Sequence, residues 1–93
     1  MKILGYPYTV QFVGADSMDG AMGRFYARQQ RIEIASNMAP DGQLSTMLHE
    51  VLEALNYHLA LNLPHAKIMA LEAGLYQVLS ENGVDLGPLL EGK

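Results

Sequence analysis

Ninety-three residues, 49% hydrophobic and 17% charged with a mean hydropathy of +0.05, describe one small globular domain with a modest core. A net charge of −4 and the lack of any Lys/Arg run argue against a nucleic-acid partner, and the absence of cysteine excludes disulfides, thiolate metal sites and thiol nucleophiles. No apolar run approaches the ~18 residues that cross a membrane, and Lys2 with a stretch broken at Gly5 and Pro7 is no signal peptide, so no membrane partner and a cytoplasmic location are expected.

The first half reads as strands. Residues 6–13 (Y-P-Y-T-V-Q-F-V) are rich in β-branched and aromatic side chains, with Pro7 marking an edge or an irregular entry. Residues 14–23 hold three glycines and two aspartates and read as a loop. Residues 22–28 and 31–35 then suggest a β-hairpin turning at Gln29-Gln30, with Ile32 and Ile34 on its apolar face.

The second half reads as two helices. Asp41 is the expected N-cap of a helix reaching about Leu61, with Leu44, Leu48, Val51, Leu52, Leu55 and Leu59 as its apolar stripe. Pro64 suits the first turn of a second helix, which carries Ile68, Leu71, Leu75, Val78 and Leu79 and stops at Asn82-Gly83. The short connection implies antiparallel neighbours. The expected architecture is α+β: a small antiparallel sheet on two antiparallel helices within residues 1–83, with 84–93 an irregular tail.

The first helix carries His49-Glu50-Val51-Leu52-Glu53. In the zinc-peptidase pattern H-E-x-x-H, two histidines one turn apart bind the metal and the glutamate is the general base. Here Glu53 stands at the second histidine's position, and a carboxylate is also a sound zinc ligand. Ser45, His49, Glu53 and Asn56 share one helix face, which in the simplest reading is merely solvated. On the second helix His65, Glu72 and Tyr76 form a matching polar line, so the two lines could also be paired charges across a helix interface. His65 supplies a further nitrogen donor, and His49, Glu53 and His65 make a two-histidine, one-carboxylate set that leaves a fourth position for water. Glu72 could be a ligand instead, or could orient a histidine by a hydrogen bond. His58, nine residues after His49, turns to the other side and reads as a surface histidine.

The segment Q-R-I-E-I-A-S-N-M-A-P-D-G-Q-L-S-T-M-L-H-E-V-L-E-A-L-N-Y, followed by L-N-L-P-H and L-E-A-G-L-Y-Q-V-L-S-E-N-G, resembles small phage-associated zincin-like metallopeptidases, minimal relatives of the ImmA/IrrE type. The resemblance runs from about Arg24 to Gly83. In that group a strand and loop lead into the T-x-x-H-E helix, and a G-L-Y-Q-V-L-type helix packs on it. Members often carry histidine where Glu53 stands and an acidic residue near the position of His65. The resemblance therefore implies an exchange of two ligands, with His65 preferred to Glu72 and Zn2+ as the cofactor.

An active site of this composition would hydrolyse a peptide or protein substrate, with Glu50 moving the proton of the attacking water. The strand over 31–35 could hold an extended peptide by edge pairing, and Tyr76 could steady an oxyanion. The competing expectation is a catalytically inactive zincin-like interaction module whose metal is structural. A second copy of the chain is a further partner to consider for so small a core.

Overall fold

The computed structural model describes residues 1–91. The 6–13 stretch divides at Tyr8. Before it, β1 (Lys2–Ile3) and β2 (Tyr6–Pro7) form a small antiparallel hairpin through Leu4 and Gly5, both left-handed at φ 52° and 83°. After it, β3 (Thr9–Val13) joins a separate three-stranded sheet with β4 (Gly23–Tyr26) and β5 (Arg31–Ala35). Tyr8 itself turns into the core.

The strand order is β3-β5-β4, with β5 parallel to β3 and antiparallel to β4. The sheet is thus mixed, not antiparallel. Alternation of apolar residues sets which face of a strand is buried and says nothing about the direction of its neighbour. Ile32 and Ile34 are both completely buried because β5 lies at the centre, with neighbours on both edges. The β4–β5 turn spans residues 27–30 with Gln30 left-handed, wider than a two-residue turn at Gln29-Gln30. The loop before β4 is anchored by the fully buried Met18, and by the Arg24 guanidinium donating to the carbonyls of Met18 (2.6 Å) and Ser17 (3.2 Å).

Helix α1 (Pro40–His58) is capped by the backbone at Ala39 with Pro40 at its first position, so Asp41 lies in the first turn instead of capping it. Its carboxylate still suits the positive end of the helix dipole. The face turned to the core centres on Met47 and Ala54, with Leu48 buried and Val51 and Leu55 packed beside them; of the expected stripe Leu44 and Leu52 are half-buried and Leu59 is exposed. Ile3, Tyr8, Ile32 and Ile34 complete the core between α1 and the sheet.

Helix α2 (His65–Glu81) lies against α1 and buries Ile68. Side-chain pairs 45/72, 53/65 and 56/63 run in opposite order along the two segments, so the helices are antiparallel. Gly83, left-handed at φ 78°, ends α2, and Val84 N–H bonds back to the Leu79 carbonyl at 3.0 Å. The tail departs from expectation: Gly87–Glu91 forms a 3-10 turn, and Leu89 and Leu90 pack on the core. The folded unit therefore extends past residue 83. Residues 92–93 of the expected tail lie outside the described residues.

Candidate metal centre

The position of His65 is set by the turn between the helices. Ala60 and Asn62 are left-handed (φ 51° and 58°), which ends α1 abruptly. The Asn56 amide then donates to the Leu63 carbonyl (3.2 Å) and accepts from the Leu63 N–H (3.0 Å). One side chain on α1 thereby fixes the residue two places before His65.

His65 opens α2 facing Glu53 and His49. Glu53 Oε2 lies 3.7 Å from His49 Nε2 and 3.8 Å from His65 Nδ1. The two imidazole rings meet edge to face with centroids 5.1 Å apart. All three candidate ligand atoms fall within 4.8 Å of one another. A tetrahedral ion with bonds of ~2.0–2.1 Å needs ligand atoms ~3.3 Å apart, so all three separations would have to contract, the two Glu53 edges by a few tenths of an ångström, for the set to hold such an ion. Exposure rises from His49 (14%) through Glu53 (30%) to His65 (67%), so the group is rooted on one side and open on the other.

The rooted side is held by Glu72. Its Oε1 lies 2.8 Å from His49 Nδ1, and its Oε2 accepts a 2.5 Å hydrogen bond from the Ser45 hydroxyl. With the proton on Nδ1 donated to Glu72, Nε2 presents its lone pair on the side of Glu53. Both Glu72 oxygens are thus engaged, and Glu72 orients a histidine instead of completing the cluster.

Glu50 lies next in sequence to His49 and is only 6% exposed. Burial is the largest influence on it and raises its pKa from 4.5 to about 7; His49 opposes the shift, while Glu53 and Glu72 add to it. Its neighbour across the sheet edge is Gly23. A Cβ there would sit 2.5 Å from Thr46 Cγ2 and 2.9 Å from Glu50 Oε2, so β4 comes this close to the carboxyl only as glycine.

Two clefts flank Glu50. The larger, about 730 Å3, runs along Gly23–Tyr26 to Asn56 and Tyr57; the smaller, about 390 Å3, lies between residues 20–23 and Met69. Both are bordered by His49, Glu50 and His65. β5 offers no edge to an extended peptide, because it is central and paired on both sides; of the two edge strands, β3 and β4, it is β4 that borders the clefts. Tyr76 lines neither cleft, so it stands outside the site.

His58 is not a free surface histidine. The Tyr6 ring stacks on it at 4.4 Å, and its Nε2 lies 2.6 Å from the Tyr8 hydroxyl. The expected His49, Glu53 and His65 are brought together, with Glu50 beside them. Motif reading missed the roles of Gly23, Ser45 and Asn56. Asn56 and Ser45 were visible on the right helix face, but what they hold lies across the interface. Comparison with protein-family models, curated proteins and solved structures finds no match to this chain.

Proposed function

We propose that this protein is a zinc-dependent peptidase, with His49, Glu53 and His65 as metal ligands and Glu50 as the general base. The observation that carries the reading is Glu50. A carboxyl buried beside three metal-ligand side chains and between two clefts costs stability, and it is not one of the three. A core position alone would be better filled by an apolar residue.

A bound zinc-class ion would supply Lewis acidity toward the peptide carbonyl and bring water toward ionisation near neutral pH. Glu50 accepts a proton from the attacking water and returns it to the leaving amine, so the carboxylate is regenerated in each cycle. Burial lifts its proton affinity toward the neutral range, where both transfers are feasible; a bound dication would draw it partly back. Glu72 and Ser45 hold His49 in the required tautomer, and the β4 edge offers backbone groups to an extended substrate.

The paired-charge reading has the His49–Glu72 contact in its favour. It also takes in the approach of Glu53 to His49 Nε2 and His65 Nδ1, but leaves the buried Glu50 carboxyl beside them without a purpose. The resemblance of the sequence to zincin-like metallopeptidases points the same way as the site.

The test is zinc reconstitution followed by turnover of a broad peptide library. Wild type should hold about one ion per chain and cleave. Glu50→Gln should retain the ion and lose at least ~100-fold in turnover, the usual scale for a general base. Full metal occupancy with no cleavage by wild type would leave a metal-stapled interaction module. Loss of the ion in Glu50→Gln would make Glu50 a ligand and overturn the role given to it.

A further inference from the structure

Helix α2 is an outer layer. It packs chiefly on α1, and of its 17 residues Ile68 alone is buried. Its outward face is nevertheless apolar through the middle. Leu71, Gly74 and Val78 follow one another along it, with Lys67 and Glu81 continuing the same line at its two ends. All five are exposed, Leu71 at 44% and Val78 at 55%, and Leu75 borders the line at 38%. Alternating steps of four and three residues keep side chains on one helix face, the pattern by which two helices pack lengthwise. At ~100° per residue this face lies on the order of 150° around α2 from His65 and Glu72, so a partner covering it leaves the metal cluster and both clefts open.

Gly74 stands at the centre of the line. Glycine is second only to proline in weakening a helix interior, and a Cβ at this position would meet nothing within 4 Å. The single chain therefore gives no reason for glycine here, whereas the close approach of a second backbone does.

The charges at the two ends narrow the choice of occupant. Lys67 and Glu81 each lie seven residues from Gly74, about 10 Å along the helix axis. Two copies of α2 crossing antiparallel about a two-fold axis at Gly74 bring Lys67 of each level with Glu81 of the other. A parallel pairing would set like charges together. Glu81 Oε2 accepts from the Gln77 amide within its own helix (2.7 Å), which leaves Oε1 for the opposing ammonium. A membrane surface suits this face poorly, because one Lys and one Glu do not make the basic fringe of an interfacial helix.

The geometry points to α2 as a homodimer interface: two copies of this chain pack antiparallel along Lys67, Leu71, Gly74, Val78 and Glu81, with the two-fold axis at Gly74. The pairing does not depend on the peptidase reading. A helix of 17 residues is only ~25 Å long, which places the contact below the ~800 Å2 per partner of a standard interface. The dimer is therefore reversible, with a dissociation constant on the order of tens to hundreds of micromolar.

Sedimentation equilibrium of the full chain, zinc-loaded and metal-free, from about 5 to 500 μM tests this. The mass should rise from 10.2 kDa toward twice that value, and Leu71→Glu should hold it at 10.2 kDa throughout. Lys67→Glu and Glu81→Lys should each weaken the dimer about tenfold or more, because the symmetry turns two ion pairs into like-charge pairs at once. Both changes in one chain should restore wild-type association. A wild-type mass of 10.2 kDa at every concentration overturns the homodimer and leaves the face to a different partner. Dimers that persist in Leu71→Glu, or that ignore the charge changes, overturn this interface in favour of another surface. Should Leu71→Glu fail to fold, the charge variants, both at exposed positions, decide the matter by themselves.

Discussion

Two histidines on α1, nine residues apart, meet opposite kinds of neighbour. His49 lies between carboxylates, with Glu72 at Nδ1 and Glu53 facing Nε2, and a second imidazole close by. His58 lies among rings, stacked on Tyr6, edge-on to Tyr8 and Tyr57, with the Tyr8 hydroxyl at Nε2. The first environment concentrates negative charge and lone pairs around one point, which suits a cation. The second offers one hydrogen-bonding hydroxyl and flat apolar surface, which suits packing. The same side chain on the same helix becomes a candidate ligand or a structural ring according to what the opposing elements present.

If that contrast is right, removing metal should act through the His49, Glu53 and His65 group and not through His58. A ligand present at ~100 times its dissociation constant adds about 2.7 kcal/mol. For a domain of this size that is roughly 10–20 °C in melting temperature. Chelator should lower the Tm of zinc-loaded wild type by that order. His65→Ala should abolish the response, and His58→Phe should preserve it. A melting temperature indifferent to chelator in wild type would remove the metal from the contrast.

The next effect sharpens the comparison through pH. Glu50 binds its proton more tightly in the folded protein, at about 7, than at the ordinary 4.5. Below 4.5 both states are protonated and folding carries no penalty. As pH rises toward 7 the unfolded chain ionises first, so stability of the metal-free protein falls, by roughly 3 kcal/mol once both states are ionised. Zinc-loaded protein should show a weaker or opposite slope, because ligand histidines bind metal only when neutral. Denaturant unfolding from pH 4.5 to 8, compared with metal-free Glu50→Gln, isolates the carboxyl; identical slopes in the two proteins would show that Glu50 is not held in a desolvated position.

Gly23→Ala probes the wall of the same site. The added methyl meets Thr46 Cγ2 and Glu50 Oε2, inside the distances that real Cβ atoms keep. Overpacking of this kind costs ~1–3 kcal/mol. The loss should appear in Tm together with reduced turnover, because β4 must move away from Glu50. Wild-type turnover in Gly23→Ala would show that β4 does not need its close approach.

How much of this was legible in the sequence follows from which interactions are local. The helices and the convergence of His49, Glu53 and His65 were readable because helical periodicity and the motif spacing lie within short segments and place the three residues on facing sides of a short turn. The α+β class followed from strands preceding helices. The parallel pairing of β3 with β5 was not readable, since alternation in Arg31–Ala35 carries no strand direction. The apolar stripe was readable in part: Leu48 is buried and Val51 and Leu55 pack on the core, while the buried face is centred on Met47 and Ala54 and Leu59 is exposed. His58 read as a surface residue because its partners, Tyr6 and Tyr8, come from the other end of the chain.

The smallest expected effect tests the aromatic end directly. Tyr8 is buried, at 3% exposure, and its hydroxyl meets His58 Nε2 at 2.6 Å. Tyr8→Phe keeps the ring and its stacking on Phe25 but removes the hydroxyl, leaving one imidazole nitrogen without its partner. A half-buried group deprived of its hydrogen bond costs about 1 kcal/mol, which is ~4–8 °C in Tm for this domain. Metal content and turnover should stay at wild-type values, because the Tyr8–His58 pair touches neither the ligands nor the base. Should Tyr8→Phe change zinc affinity as well, the two ends of α1 are coupled, and His58 acts on the metal centre through the helix instead of serving the core alone.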